Sequence, residues 1–281
     1  MGTDQSGTDR SAILEGFVVD LRLAGKTAVV TGGSKGIGLE TVRLLQQEGV
    51  KVVSGSRSIT PQLKETGAYA VTVDLSTPDG PQRLIDEAVA HLGGIDILIN
   101  NVGIGDSESL VEGATNTLLT LPDSAWESAF DLHFYSALRA TRAALPSLIE
   151  RKGVIVNVSS TGARLVGGGP VNYNVSKVAL NALTKITAEQ FGAEGVRAIT
   201  VSPGPVSTGV WTDEDGFIGK VARAQGVTRE QFEQTLLSQL SASTGRVSTP
   251  AEVAQLIVFA ASPNNVTGTD YLVDGGMVKT A

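Results

Sequence analysis

Short apolar runs alternate along the chain with longer segments of helical periodicity. Seven of these runs are rich in Val, Ile and other apolar residues, and we predict them as strands. They are residues 27–31, 51–54, 70–75, 96–101, 154–158, 196–201 and 271–273. Because a strand without a polar face must be covered on both sides, the pattern predicts a parallel sheet between two helical layers. We expect an α/β fold of the doubly wound (Rossmann) class, a seven-stranded parallel sheet with helices on both faces in a single domain.

The predicted helices carry recognisable start signals. Three segments read as capping boxes, in which Ser or Thr precedes Glu or Gln by three residues: 124–127, 228–231 and 249–252. The first opens a helix to about Ile149 that is apolar almost all round, and the helix after Tyr173 is similar. Such helices need cover on more than one side. They indicate a homo-oligomer, dimer or tetramer, although a deeper core in a monomer would leave the same pattern.

Two stretches stand outside the alternation. Residues 1–22 are predicted as an N-terminal arm ahead of a domain that spans 23–281, and this arm is either flexible or packed. Residues 205–248 form a long polar segment between strands, and segments of this length in compact domains are usually functional. We predict a substrate lid there, in which Trp211, Phe217 and Ile218 either line a pocket or pin the lid down.

Composition then excludes several kinds of protein. The 281 residues have a net charge of −7 and no cysteine, and His91 and His133 are the only histidines. A chain without a basic block gives no sign of nucleic-acid or anionic-membrane binding, and one without cysteine has neither disulfides nor thiol chemistry. No metal site is expected. Without a signal peptide or a long apolar run, the protein is predicted to be cytoplasmic.

A glycine-rich turn follows the first predicted strand. It reads Gly32-Gly-Ser-Lys-Gly36-Ile-Gly38 and leads directly into a helical segment. Glycines allow the backbone to approach a pyrophosphate, and the helix N-terminus offers free N–H groups and the positive end of its dipole. A turn that merely closes a β-α unit is the alternative, but the order strand, glycine turn, helix favours dinucleotide binding.

The next strand end indicates which dinucleotide. NAD-binding units usually carry an acidic residue about 20 positions after the glycines, to hold the ribose 2′-hydroxyl. Here Ser56 and Arg57 occupy that place, and Lys35 adds a second positive charge in the glycine turn. An arginine can bind a 2′-phosphate, which a carboxylate would repel. We therefore predict NADP(H), the alternative being that Arg57 is an ordinary solvated residue.

Chemistry is indicated by Tyr173 and Lys177, which are four residues apart on a predicted helix and so lie on one face. A phenol with a pKa near ~10 is a poor acid at neutral pH, and an ammonium group nearby is expected to lower that pKa. Ser160, at the end of the preceding strand, could hydrogen-bond the same substrate oxygen. The set suits proton transfer to a carbonyl or from an alcohol.

Taken in order, these motifs resemble the short-chain dehydrogenase/reductase family from about Leu23 to Met277. The matching residues are Thr31-Gly-x-x-x-Gly-Ile-Gly38, Asp74, Asn100-Asn-Val-Gly103, Ser160, Tyr173-x-x-x-Lys177 and Pro203-Gly204. The resemblance implies that Tyr173 is the general acid or base, that Ser160 orients the substrate oxygen, and that Lys177 lowers the phenol pKa and holds the nicotinamide ribose.

The cofactor-binding set comes from the glycine turn, the strand ends and this resemblance. It comprises Gly32, Ser34, Lys35, Gly36, Ile37, Gly38, Ser56, Arg57, Asp74, Leu75, Asn101, Gly103, Tyr173, Lys177, Pro203, Gly204, Val206 and Thr208.

Two residues depart from the family pattern. Val102 stands where the family usually has alanine. His133, seven residues after Trp126, stands where it usually has an asparagine that anchors a water relay to the lysine, partly through its carbonyl. We include His133 among the catalytic candidates, although a packed, hydrogen-bonded histidine is the simpler interpretation.

The sequence therefore predicts an NADP(H)-dependent oxidoreductase that interconverts a ketone and a secondary alcohol, with a small carbonyl or alcohol compound as substrate. The alternative is a dinucleotide-binding regulatory or scaffold protein without catalysis, and the intact Ser160, Tyr173 and Lys177 argue against it.

Overall fold

Seven parallel strands form the centre of the molecule. The computed structural model describes residues 20–103 and 107–279, without the side chains of 107–109. Its strands are β1 (Thr27–Thr31), β2 (Lys51–Ser56), β3 (Tyr69–Thr72), β4 (Ile97–Asn100), β5 (Val154–Val158), β6 (Arg197–Pro203) and β7 (Asp270–Val273). They pair in the order β3-β2-β1-β4-β5-β6-β7, every pair parallel, which confirms the predicted fold class.

Helices cover both faces of the sheet. They are α1 (Gly36–Gln47), α2 (Pro61–Glu65), α3 (Gly80–Leu92), α4 (Ser107–Thr115), α5 (Asp123–Phe130), α6 (Ser136–Arg151), α7 (Val171–Phe191), α8 (Gly209–Thr212), α9 (Phe217–Gln225), α10 (Arg229–Gln239) and α11 (Pro250–Ala261). None of the helices in the described part of the chain is both long and apolar enough to cross a membrane. Most of the predicted N-terminal arm, residues 1–19, lies outside the described residues.

Each central strand serves two hydrophobic cores, because its successive side chains point to opposite faces. Val30 and Val156 lie in the core that α1 and α11 cover. Val29 and Ile155 lie in the other core, beneath α3 and α6. All four side chains are completely buried. This double burial explains why the strands read as unbroken apolar runs. Because all seven strands are parallel, their carboxyl ends lie at one edge of the sheet.

The predicted capping boxes met different outcomes. Those at Thr228 and Thr249 are confirmed. Each threonine side chain accepts a hydrogen bond from the backbone N–H of the third residue of its helix, and the side chain of that residue accepts one from the threonine backbone N–H. The box at Ser124 is wrong. There the N-cap is Pro122, two residues before Ser124; it is extended and makes no side-chain cap, and α5 begins at Asp123.

The helix predicted to run to about Ile149 is also interrupted. A wider π turn, Asp131–Tyr135, separates α5 from α6 and carries His133. Turns of this kind are rare and frequently occur at functional sites.

Strand β3 is shorter than predicted, because it ends at Thr72 and leaves Asp74 and Leu75 beyond it. The Asp74 carboxylate accepts hydrogen bonds from the backbone N–H and the hydroxyl of Ser76, at 3.0 and 2.7 Å. A short polar side chain that bonds its own backbone two residues on turns the chain, so the strand cannot continue.

The predicted lid segment, residues 205–248, contains α8, α9 and α10. Its two ends are joined by a parallel bridge between Val206 and Ser248. Trp211 and Ile218 are buried, so the structure favours a packing role for these two apolar residues rather than an open pocket wall. Phe217, at the start of α9, is only partly buried.

Candidate active site

The carboxyl edge of the sheet brings Ser160, Tyr173 and Lys177 together. Ser160 follows β5 and hydrogen-bonds the Tyr173 phenol, while its Oγ also accepts from the backbone N–H of Gly162 at 3.0 Å. Lys177 lies one turn along α7, with its Nζ 5.7 Å from the centroid of the Tyr173 ring. The same Nζ donates to the carbonyl of Val158, at the end of β5, at 2.9 Å. Strand end and helix therefore fix the three side chains against one another.

Burial dominates the electrostatics of this cluster. It raises the pKa of the Tyr173 phenol, and the hydrogen bond from Ser160 opposes that shift without cancelling it. Burial also lowers the pKa of the Lys177 ammonium to about 8. The expectation that Lys177 makes this phenol unusually acidic is therefore wrong for this structure. Burial is the largest influence on both groups, and it disfavours the charged form of each.

His133 lies directly beside the catalytic candidates. Its ring meets the Tyr173 ring edge to face, with 5.0 Å between the ring centroids. Its Nδ1 lies 3.2 Å from the hydroxyl of Ser176 on α7, and the side chain is buried. Burial first, and then the charge on Lys177, hold the pKa of His133 well below its ordinary value of 6.5. The imidazole is consequently neutral throughout the physiological range.

The glycine turn has the shape that a phosphate group requires. Lys35 stands at the N-cap of α1 in an extended conformation and makes no side-chain cap, so the first-turn N–H groups have no side-chain partner there. Gly36 has a φ of +57°. A Cβ on Gly36 would lie 3.1 Å from the Thr208 side chain, which brings this predicted residue against the turn. A Cβ on Gly38 would collide with the carbonyl of Gly32.

Asn101 ties the end of β4 to this turn. Its side-chain amide donates to the carbonyls of Thr31 and Gly32 at 2.9 and 3.2 Å. Its amide group is therefore used to shape the glycine turn. Gly103 lies near the catalytic cluster, because a Cβ placed on it would come within 3.9 Å of the Lys177 Nζ. The glycine turn and the Ser-Tyr-Lys cluster thus border one crevice.

The residues predicted to select the dinucleotide lie at the ends of β2 and β3. Ser56 is buried and donates to the carbonyl of Ser58 at 2.9 Å, whereas Arg57 is exposed. Two hydrogen bonds from Ser76 hold the pKa of Asp74 below its ordinary value, and the charge on Arg57 adds to them. The Ser34 carbonyl accepts from Thr60 at 2.7 Å.

The remaining predicted residues occupy structural positions along the same edge. Pro203 ends β6, and the backbone N–H of Gly204 donates to Val273 on β7 at 3.0 Å. Leu75 is buried among the residues beneath α3 and α6. Ile37 packs against the core on the other face of the sheet. Their side chains support the backbone that borders the crevice.

Two supporting residues were missed from the sequence. Ser176 donates to the backbone carbonyl of Tyr173 at 2.7 Å while its Oγ meets His133. Asn174 donates to the carbonyl of Gly168 at 2.6 Å, which ties the glycine-rich connection to α7. Both lie inside the stretch Tyr173–Lys177, and polar residues on the covered side of an apolar helix were the available signal.

A doubly wound sheet with a glycine turn on one side of the crevice and a Ser-Tyr-Lys cluster on the other defines a dinucleotide-dependent oxidoreductase scaffold. A family model described as enoyl-(acyl carrier protein) reductase matches residues 32–278. The 3-alpha-(or 20-beta)-hydroxysteroid dehydrogenase of Mycobacterium tuberculosis is 31% identical over 92% of this chain and 91% of its own. The 3-oxoacyl-[acyl-carrier-protein] reductase FabG of Vibrio cholerae is 30% identical over 92% and 99%.

Solved structures agree with this relationship. L-sorbose reductase from Gluconobacter frateurii, crystallised with NADPH and L-sorbose, superposes with a TM-score of 0.82 at 29% identity, over 93% of this chain and 100% of its own. The NADH-dependent reductase A1-R′ gives a TM-score of 0.75 at 25% identity, over 92% and 100%. The chain belongs to the short-chain dehydrogenase/reductase family.

Proposed function

We propose that the protein is an NADP(H)-dependent oxidoreductase that interconverts a ketone and a secondary alcohol. The observation that carries the proposal is the cluster of Ser160, Tyr173 and the buried Lys177 beside the glycine turn. Relatives that act on hydroxysteroids and on 3-oxoacyl groups, and a structural neighbour that binds L-sorbose, support chemistry at a CH–OH or C=O group.

In the reduction direction, Tyr173 donates its phenolic proton to the substrate oxygen, which Ser160 orients through a second hydrogen bond. The raised pKa of Tyr173 keeps the phenol protonated until charge develops on that oxygen. Lys177, held by the Val158 carbonyl, stabilises the phenolate that the proton leaves behind. In the oxidation direction the same phenolate receives the alcohol proton. NADP(H), when bound, supplies or accepts the hydride.

The crevice fits a dinucleotide in three respects. The N–H groups at the start of α1 have no side-chain cap, and helix N-termini of this kind bind phosphate. The turn itself needs glycine, because Gly36 has a φ of +57° and a Cβ on Gly38 would collide with the carbonyl of Gly32. The Lys177 ammonium has two further hydrogens beyond the one bonded to Val158, and we assign one of them to the nicotinamide ribose.

Preference for NADP(H) over NAD(H) rests on Arg57, exposed at the end of β2 near Asp74. In Arg57→Ala the ratio of NADPH to NADH efficiency should fall about 10–100-fold, since a charge-assisted contact with the 2′-phosphate is lost. Arg83→Ala, an exposed arginine on α3, is the matched control and should leave the ratio unchanged. An unchanged ratio in Arg57→Ala, or a wild-type preference for NADH, would refute this part of the proposal.

Two further assignments follow from the surface. Residues 205–248 act as the substrate lid, because the segment is joined at its base by Val206 and Ser248 and contains Thr208, which lies against the glycine turn. Val175, Val178 and Ile186 on α7 are exposed by 43, 41 and 49%, which supports burial of this face in a homo-oligomer. Cytoplasmic location stays a prediction from composition.

The central experiment measures oxidation of NADPH with a panel of ketones. Tyr173→Phe removes the acid and keeps the ring, so turnover should fall about 10²–10⁴-fold. Tyr69→Phe, which alters a tyrosine stacked on His91 away from the crevice, should leave turnover unchanged. Unaltered turnover in Tyr173→Phe, or no turnover of any ketone or alcohol by the wild-type protein, would favour a binding protein without catalysis.

A further inference from the structure

His133 sits in a hydrogen-bond chain that assigns the proton on its ring. The hydroxyl of Ser176 donates to the backbone carbonyl of Tyr173 at 2.7 Å. A hydroxyl has one hydrogen, and a carbonyl oxygen only accepts, so the Ser176 oxygen must accept from its other neighbour. That neighbour is the Nδ1 of His133 at 3.2 Å. The neutral imidazole therefore carries its hydrogen on Nδ1.

The consequence lies at the other ring nitrogen. Nε2 of His133 is buried and has no hydrogen-bond partner among the described residues. In the Nδ1–H tautomer it is a bare acceptor, and buried polar atoms in folded proteins are nearly always satisfied. A donor group is therefore expected opposite it in the working enzyme.

The charged and titratable groups that face His133 from the described part of the chain both belong to α7. The Lys177 charge acts on the imidazole, and the Tyr173 ring contacts it edge to face. The Tyr173 hydroxyl has a single hydrogen, which the proposed reaction donates to the substrate oxygen, whereas the Lys177 ammonium has three hydrogens and gives one to Val158. Lys177 is thus the donor that the site offers.

Proton conduction through His133 does not fit the same geometry. A proton taken up at Nε2 would have to leave from Nδ1 to Ser176. The Ser176 hydroxyl in turn donates its hydrogen bond to the backbone carbonyl of Tyr173. A backbone carbonyl neither stores nor forwards a proton at neutral pH. The chain ends there, so His133 orients groups rather than shuttling protons through Ser176.

We propose that His133 is a positioning residue of this site. Ser176 holds it as the Nδ1–H tautomer, and its Nε2 accepts a hydrogen bond from a water molecule that the Lys177 ammonium also contacts. The proposal rests on the proposed function for its catalytic meaning. Its structural content, a fixed tautomer and an acceptor for Lys177, is independent of any substrate.

The tautomer is tested in the free wild-type protein by long-range ¹H–¹⁵N NMR with labelled histidine. His91 is the only other histidine, and His91→Asn assigns the pair of signals to His133. We expect a protonated Nδ1 and an unprotonated Nε2 near neutral pH. A hydrogen on Nε2 would overturn the proposal, whatever the enzyme assays show.

The contact with Lys177 is tested with a pair of variants. His133→Phe keeps a ring and removes the acceptor, whereas His133→Gln supplies an amide oxygen in its place. The lysine side-chain NMR signals, assigned by their loss in Lys177→Met, report the ammonium pKa without substrate. Because a hydrogen bond to the charged form favours it, the pKa of about 8 should fall by about one unit in His133→Phe and return in His133→Gln.

Activity adds a third measurement. The alkaline limb of the kcat profile should move to lower pH in His133→Phe, with kcat about tenfold lower and the ketone KM unchanged. An ammonium pKa and a pH profile that are the same in wild type, His133→Gln and His133→Phe would overturn the proposed contact. Should His133→Phe fail to fold, the wild-type tautomer still decides. Failure of the proposed function appears separately, as no effect of Tyr173→Phe.

Discussion

The two edges of the sheet differ in how many hydrogen-bond and ion-pair partners surround their charged groups. At the amino edge, Asp96 accepts from the backbone N–H and hydroxyl of Thr27 at 3.0 and 2.9 Å. It also pairs with Lys26 at 3.2 Å and with Arg151 at 3.6 Å. Arg197 donates to four carbonyls and one side-chain oxygen where α11 ends. Each of these charges faces several partners.

At the carboxyl edge the polar groups are buried with few partners. Lys177 is 2% exposed and hydrogen-bonds one carbonyl among the described residues. Its pKa and that of Tyr173 are shifted against their charged forms, and Nε2 of His133 has no partner in the described part of the chain. Partners at the amino edge stabilise the fold, whereas unsatisfied groups at the carboxyl edge cost stability and remain available for chemistry. Substitutions at the amino edge should therefore lower the stability of the fold, whereas substitutions at the carboxyl edge should lower activity.

Arg197→Met should have the largest effect on stability. Five acceptors lose their donor, and the C-terminal end of α11 loses a favourable cation, so the free energy of unfolding should fall by about 4 kcal/mol. Denaturant unfolding measures the loss, and kcat of the folded variant should equal that of wild type. A large loss of kcat at native stability would break the comparison.

Lys177→Met should act in the opposite direction. Activity should vanish, yet the free energy of unfolding at pH 7 should rise by about 3 kcal/mol, because the variant no longer buries an ammonium whose pKa has fallen from 10.5 to about 8. The folded state resists this proton, so wild type bears the full cost below about pH 8. The cost disappears as the pH rises towards 10.5, and the advantage of the variant should shrink over that interval. A variant less stable than wild type at pH 7 would contradict this assignment.

Asp96→Asn returns to the amino edge with a smaller change. Burial acts to raise the pKa of Asp96, but hydrogen bonds from Thr27 and Lys26 and the charge on Lys26 outweigh it, so the folded pKa is lowered. The variant leaves Lys26 and Arg151 without their carboxylate and should lose about 2 kcal/mol at pH 7. The contribution of Asp96 is present above its ordinary pKa of 3.8 and is lost as the pH falls through the lower folded value. Unfolding at pH 7 and pH 3 should show the difference narrow, with kcat unaffected.

The sequence was sufficient for the sheet. The predicted bounds of β1 and β5 match the structure. An unbroken β-branched run fits a strand that is buried on both of its faces. The edge at which Ser160, Tyr173 and Lys177 meet follows from the topology of parallel strands alone. The hydrophobic pattern of the sequence predicts the sheet because burial of the strands is the cause of that pattern.

The spacing of residues in the sequence could not predict the electrostatics of the site. Residues four apart on a helix indicate that Tyr173 and Lys177 are neighbours, but the spacing does not show that burial shifts the pKa of each against its charged form. The π turn at Asp131–Tyr135 depends on tertiary packing, so helical periodicity could not show where it places His133. The double role of Ser176 likewise depends on which atoms the fold brings near its single hydroxyl.

The buried histidine provides the last test of the comparison, and its expected effect on the free energy of unfolding is the smallest. His133 is buried and holds a pKa well below 6.5, whereas His91 is exposed at the end of α3. As the pH falls below about 6.5, the unfolded chain binds a proton at residue 133 that the folded protein refuses, so stability declines. Between pH 6.5 and pH 5 wild type should therefore lose about 1–2 kcal/mol more than His133→Phe, from a slope of at most ~1.4 kcal/mol per pH unit. Equal acid sensitivity in wild type and His133→Phe would mean that the imidazole is protonated as readily in the fold as in the unfolded chain.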